Sequence, residues 1–179
     1  MAKQQSEKPQ IIVELETLFK ETNESLFGGQ LKLPTMILQP ERKLDFRFVA
    51  DTYHFVVGAR FLDFKSVESM YEQFLHEMLH VKLDDDSTNS SYHNSTFLKA
   101  ALEVGFFVGR NRTIGWGLTH FNPPADDDTI ECPTQAAVDA RSERTNSSSE
   151  GWTKQAILSK VRLCLPRAPQ FHPLWSQTR

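Results

Sequence analysis

The residues of this chain best suited to chemistry are His76-Glu77-Met78-Leu79-His80, two histidines four apart with a glutamate beside the first. On a helix this spacing stacks both imidazoles on one face, where their rings can converge on a single cation. Glu77 is then placed to reach a water activated by that cation rather than the cation itself. Its carboxylate would take the proton as the water attacks a carbonyl. Neutral imidazole and ionised carboxylate, the forms these roles require, are what His and Glu supply near neutral pH.

A catalytic zinc ion takes three protein ligands and keeps one position open. Three residues compete for the third place. Asp86 stands six residues after His80, but Leu83 occupies the position where a glycine would allow the tight reversal. Glu103 lies on a later helix. His93 sits at the end of a polar loop, just ahead of that helix, and can swing back over the metal face once the two helices pack; it is the preferred ligand. Three histidines with a water suit Zn2+ better than manganese. Tyr92, His120, Arg110 and Arg112 are candidates for stabilising an oxyanion, and nothing in their spacing selects one. His54 reads as structural and His172 as having no specific role. The runs Asp84–Asp86 and Asp126–Asp128 lack the alternating oxygen pattern of a calcium loop.

The element that must carry the histidine pair is a helix from about Ser66 to Leu83. Val67, Met70, Tyr71, Phe74, Leu75 and Met78 follow the i, i+3, i+4 spacing of a buried stripe. Ser66 is the expected N-cap, with Glu68 in the first turn where the helix dipole favours negative charge. Upstream, residues 1–9 read as a disordered lead-in. Ile11, Ile12, Leu15, Leu18, Phe19, Leu26 and Phe27 make a second helical stripe, stopped by Gly28-Gly29. Leu31–Leu38 reads as a short strand, and Leu44–Ala50 with Tyr53–Ala59 as a hairpin turned at Asp51-Thr52. Downstream of the polar loop 84–91, a further helix is expected from Asn94, with Phe97, Ala100, Ala101, Val104 and Val108 on one face. Gly105 and Gly109 weaken its far end. Arg110–Asp128 reads as irregular, Ser142–Gly151 as a Ser-rich linker, and 153–163 as a short helix before a Pro-rich end.

The 179 residues fit one domain with a tail. The organisation expected is a domain over 10–125 followed by an acidic, Ser-rich linker and basic tail over 126–179. No apolar run is long enough to cross a bilayer, and no hydrophobic signal core follows the polar N-terminus. Cys132 and Cys164 belong to no C-x-x-C pair and read as free thiols, which together with the N-terminus points to the cytoplasm. Charge is uneven. Residues 141–179 hold seven Lys/Arg against two Glu, so a net −3 overall leaves −8 on residues 1–140. Lys154, Lys160 and Arg162 with Trp152 have the basic and aromatic character that grips single-stranded nucleic acid, so DNA contact through the tail is weighed, against an acidic body that opposes it.

Three stretches, in order, carry a family resemblance. Leu18-Phe-Lys-Glu-Thr-Asn23-Glu-Ser-Leu-Phe27-Gly-Gly-Gln-Leu31-Lys-Leu-Pro34 is similar to the opening of the SprT-like metalloprotease domain. In that family a helix ending in an Asn and an aromatic leads through Gly to L-x-x-P. Phe74–His80 resembles its active-site helix, and His93-Asn94-Ser95-Thr96-Phe97 its H-G-x-x-F ligand segment, with Asn94 in place of the Gly. The match covers residues 11–108. It implies an α+β, zincin-like metalloprotease domain, mostly helical with a small three-stranded β-sheet. It further implies His76, His80 and His93 as zinc ligands and Glu77 as the catalytic glutamate. The zinc ribbon of many members has no counterpart here; the Spartan group of the family cleaves proteins crosslinked to DNA. The expected function is therefore a zinc-dependent endopeptidase acting on protein substrates, with DNA association as a further expectation. The competing class is a non-catalytic, zinc-stabilised binding module or nucleic-acid-associated adaptor, for which a general base at Glu77 would have no use.

Overall fold

A computed structural model of the chain describes residues 8–39, 45–64, 66–84, 93–122 and 130–149, the last six of these by backbone only. The expectations placed on residues 1–7, on the loop 85–91, on 123–129 and on 150–179 lie outside the described residues, including the helix 153–163 and the Pro-rich end.

The first helix, α1 (Gln10–Phe27), buries Ile11, Ile12, Leu15, Leu18, Phe19, Thr22, Asn23 and Phe27, the face its periodicity marked. It stops where Gly28 turns left-handed at φ 61°, a conformation that costs glycine little. Asn23 makes this end definite. Its side-chain Oδ1 accepts from Leu31 N–H at 3.0 Å and its Nδ2 donates to Leu31 carbonyl at 2.8 Å. The chain is thereby aimed into β1 (Thr35–Gln39).

Strands β1, β2 (Phe46–Val49) and β3 (His54–Gly58) form a mixed sheet in the order β1-β3-β2. β3 is central, parallel to β1 and antiparallel to β2. The hairpin expected over 44–59 is the β2–β3 pair. A one-turn helix, α2 (Ala59–Leu62), follows. The sheet rests on α3 (Val67–Leu83) through a layer of aromatics. Phe46 stacks against Phe61 at 4.7 Å and Phe74 at 5.3 Å between ring centroids, and all three are buried. Each such side chain contributes about 1.5–3 kcal/mol by leaving water. α3 begins where Ser66 and Ser69 exchange side-chain and backbone hydrogen bonds, both at 3.1 Å, and ends at Asp84 in a left-handed cap.

Beyond α3 the structure departs from expectation twice. The helix starting at Asn94 is α4 (Ser95–Glu103) and stops five residues short of Val108. Gly105 adopts φ 86°, and Phe106 N–H folds back to Ala101 carbonyl at 3.0 Å. Val108 instead lies in β4 (Phe107–Asn111), paired antiparallel with β5 (Gly115–His120). The stretch read as irregular after Arg110 thus contains a strand, and the second half of a hairpin.

The other departure is α5 (Gln135–Ser149), which occupies most of the stretch read as a Ser-rich linker. It packs against α1 and α3. What holds it is Arg141, a buried cation that donates through Nη1 to Gly105 carbonyl at 2.6 Å and Phe121 carbonyl at 3.2 Å. Its guanidinium lies 4.3 Å from the centroid of Phe121. Burial lowers its pKa, and Glu68, Glu72 and Tyr71 pull it back. Burial also raises the Glu72 carboxyl, which accepts from Phe121 N–H at 3.1 Å.

Arg141, within the stretch 126–179 read as linker and tail, thus packs among the upstream elements. Ending the chain at Ala140 strips Gly105 and Phe121 of a charged donor and is expected to cost at least about 2 kcal/mol. Ending it at Ser149 keeps that donor. Urea unfolding of the two truncated chains checks this, and equal midpoints would show that Arg141 contributes nothing.

Candidate metal centre

α3 supplies two of the three histidines. His76 and His80 sit one turn apart, with ring centroids 5.2 Å apart. His80 is buried, while His76 keeps partial exposure. The third, His93, arrives just before α4, whose cap is Asn94: its side-chain oxygen accepts from Thr96 N–H at 2.8 Å and Phe97 N–H at 3.1 Å. The His93 ring centroid lies 5.2 Å from that of His76 and 5.0 Å from that of His80. One nitrogen of each ring falls within 4.8 Å of the other two, and among the described residues this is the cluster able to hold a metal ion.

The hairpin β4–β5 fixes His93. His93 N–H donates to Ile114 carbonyl at 3.0 Å, and its own carbonyl accepts from Trp116 N–H at 2.9 Å. The ring bonds to the same Ile114 carbonyl through Nδ1, at 3.0 Å. A carbonyl only accepts, so Nδ1 carries the proton and the Nε2 lone pair is left to the cluster. That Nε2 stands 3.2 Å from His80 Nε2. A tetrahedral zinc ion with Zn–N of about 2.0–2.1 Å sets its ligand nitrogens about 3.3 Å apart. This edge of the triangle already has the right length.

Phe97 forms the apolar wall. Its buried ring lies 5.1 Å from His76, 5.2 Å from His80 and 4.4 Å from His93. Gly117, on β5, leaves the space the His93 ring occupies: a Cβ there would stand 2.6 Å from His93 Nδ1. Thr119, two residues on along the same face, places Oγ1 2.9 Å from His76 Nδ1. Burial holds the His76 pKa well below its ordinary value, and the neighbouring His80 and His93 push it the same way. The imidazole therefore stays neutral through the neutral range, which is the form a metal binds.

Glu77 is buried and its Oε2 accepts from Phe48 N–H of β2 at 2.7 Å. This bond ties the carboxylate to a strand 29 residues upstream. The rival third ligands are elsewhere. Glu103 pairs with Lys82 Nζ at 2.8 Å on the surface, and Asp86 lies outside the described residues. Of the oxyanion candidates, Arg110 lies over the Trp116 ring at 5.4 Å and Arg112 is exposed in the β4–β5 turn. His120 Nδ1 is 3.9 Å from Glu72 Oε1, and Tyr92 is not among the described residues. His54 opens β3 and bonds to Thr52. His172 and Cys164 also fall outside; Cys132 is free and exposed.

Sequence reasoning missed Thr119, Gly117, the Ile114 carbonyl and the Phe48 amide. A signal for the first two exists: Gly115, Gly117 and Thr119 alternate with Trp116, Leu118 and His120, the period of a strand with one small-residue face. Among the described residues no helix is long and apolar enough to cross a membrane. Comparisons with protein-family models, with curated proteins and with solved structures give no match.

Proposed function

We propose that the chain is a zinc-dependent metalloendopeptidase of the SprT-like type, hydrolysing protein substrates. The observation that carries this reading is the convergence of three imidazole nitrogens within 4.8 Å, beside a buried carboxylate on the same helix turn. The residues fit the metal, since three imidazole nitrogen donors and one 3.2 Å edge match what zinc takes. His76, His80 and His93 would hold it. When bound, the ion supplies Lewis-acid chemistry, polarising a water and a peptide carbonyl.

The chain's own residues do the rest. Glu77 takes the proton of the attacking water and passes it to the amide nitrogen as the C–N bond breaks, leaving a carboxylate and an amine. Phe48 N–H keeps one carboxylate oxygen in place through both transfers. Phe97 keeps bulk water off one side of the three rings. Three histidines alone would hold a structural ion; the carboxylate beside two of them on the same helix adds a group able to take a proton, which supports the enzyme over the binding module. DNA engagement is assigned to Lys154, Lys160 and Arg162, which follow the buried Arg141 in the sequence.

The test is incubation of the purified chain with an unfolded protein substrate, with a chelator, and with zinc restored, each with and without single-stranded DNA. Cleavage is expected to disappear with the chelator and return with zinc. Zinc uptake without cleavage in any arm would mean a binding module instead.

A further inference from the structure

Two of the three imidazoles meet a polar atom of the same hairpin through Nδ1. His93 Nδ1 meets Ile114 carbonyl at the turn, and His76 Nδ1 meets Thr119 Oγ1 on β5. The first partner is backbone and present whatever the side chain. The second depends on the residue at 119.

We propose that Thr119 is a positioning residue for a metal on the histidine triad, its hydroxyl oxygen accepting the Nδ1 proton of His76. A histidine ligand needs its free lone pair on the nitrogen that faces the ion, and the bond made by the other nitrogen selects that tautomer. His76 lacks the carbonyl that settles the matter for His93. Without an acceptor at Thr119, the His76 proton is no longer held on Nδ1, and the ring is free to turn about its own axis. Thr119 is buried, at 8% exposure for the residue, and the strand register opposite Val108 holds it there.

The choice of a hydroxyl has a chemical consequence. A carboxylate in this place would lend negative charge to the ligand ring and damp the ion's pull on a bound water. Thr119 and the Ile114 carbonyl are both neutral acceptors. The hairpin thus orients two ligands while leaving the full charge of the ion to act on substrate.

This inference rests on the metal reading of the triad, and the experiment separates the two. Zinc affinity is measured by competition with a chromophoric chelator, and the Co2+ absorption spectrum is recorded, for the wild type, Thr119→Val and Thr119→Ser. Val keeps the shape and removes the acceptor; Ser keeps the acceptor. Thr119→Val is expected to lose about 10–100-fold in affinity, the usual cost of an orienting partner, and to shift the Co2+ bands. Thr119→Ser should restore both. Melting of the metal-free proteins shows whether Val unfolds the chain, in which case Thr119→Ala takes its place. Wild-type affinity and spectrum in the acceptor-less variant would overturn the role of Thr119 alone. A wild-type chain that takes up neither ion would overturn the metal reading and this inference with it.

Discussion

Glu77→Gln is expected to retain the fold and the metal while losing peptide hydrolysis by about 10²–10⁴-fold, the range that general-base catalysis contributes. Gln has the same shape, and its amide oxygen can still accept the Phe48 N–H that Glu77 Oε2 accepts at 2.7 Å. The buried pocket around residue 77 is therefore kept. What disappears is a group able to take a proton. Single-turnover cleavage of an unfolded protein, with zinc content and melting measured on the same sample, checks the expectation. A variant that holds zinc and cuts at the wild-type rate would remove Glu77 from the mechanism.

Gly117→Ala is expected to cut zinc affinity by about 10²-fold, the upper end for disturbing a ligand's support, because the ligand itself is displaced. The added methyl would sit 2.6 Å from His93 Nδ1 and 2.9 Å from Cε1, closer than real contacts allow. The ring cannot simply retreat. Phe97 stands edge-on to it at 4.4 Å, and the His93 backbone is bonded to Ile114 and Trp116. Moving the ring also breaks the Nδ1 bond to Ile114 that fixes its tautomer. Overpacking of this kind costs about 1–3 kcal/mol in stability as well. Zinc titration alongside melting separates the two effects. Unchanged affinity would show that the hairpin yields and that His93 is not gripped as described.

Much of this arrangement was legible from residue types. The stripe Met70, Tyr71, Phe74, Leu75 and Met78 marks α3, and its helical period alone puts His76 and His80 on one side. A helix was expected from Asn94, which placed His93 at the mouth of α4. The hairpin was not legible because Val104 and Val108 continue a helical spacing. Gly105 breaks it only because the chain there turns left-handed against the Ala137 backbone of α5. α5 itself was hidden for a related reason. Ser and Asn are poor helix formers, and one buried arginine with two backbone acceptors outweighs their preference. The bond from Phe48 to Glu77 leaves no trace in the residues, since every non-proline residue carries the same amide.

That last bond also bears on the edge of the sheet. β2 is an outer strand of its sheet, and Phe48 turns its amide away from β3. Rows of such unspent donors invite strands of other molecules and seed aggregates, and proteins blunt them by covering the edge. Here the carboxylate of α3 engages one donor of that row, so the proposed catalytic base also covers part of the edge. A Glu77→Ala protein that precipitates where Glu77→Gln stays in solution would be the mark of that second duty.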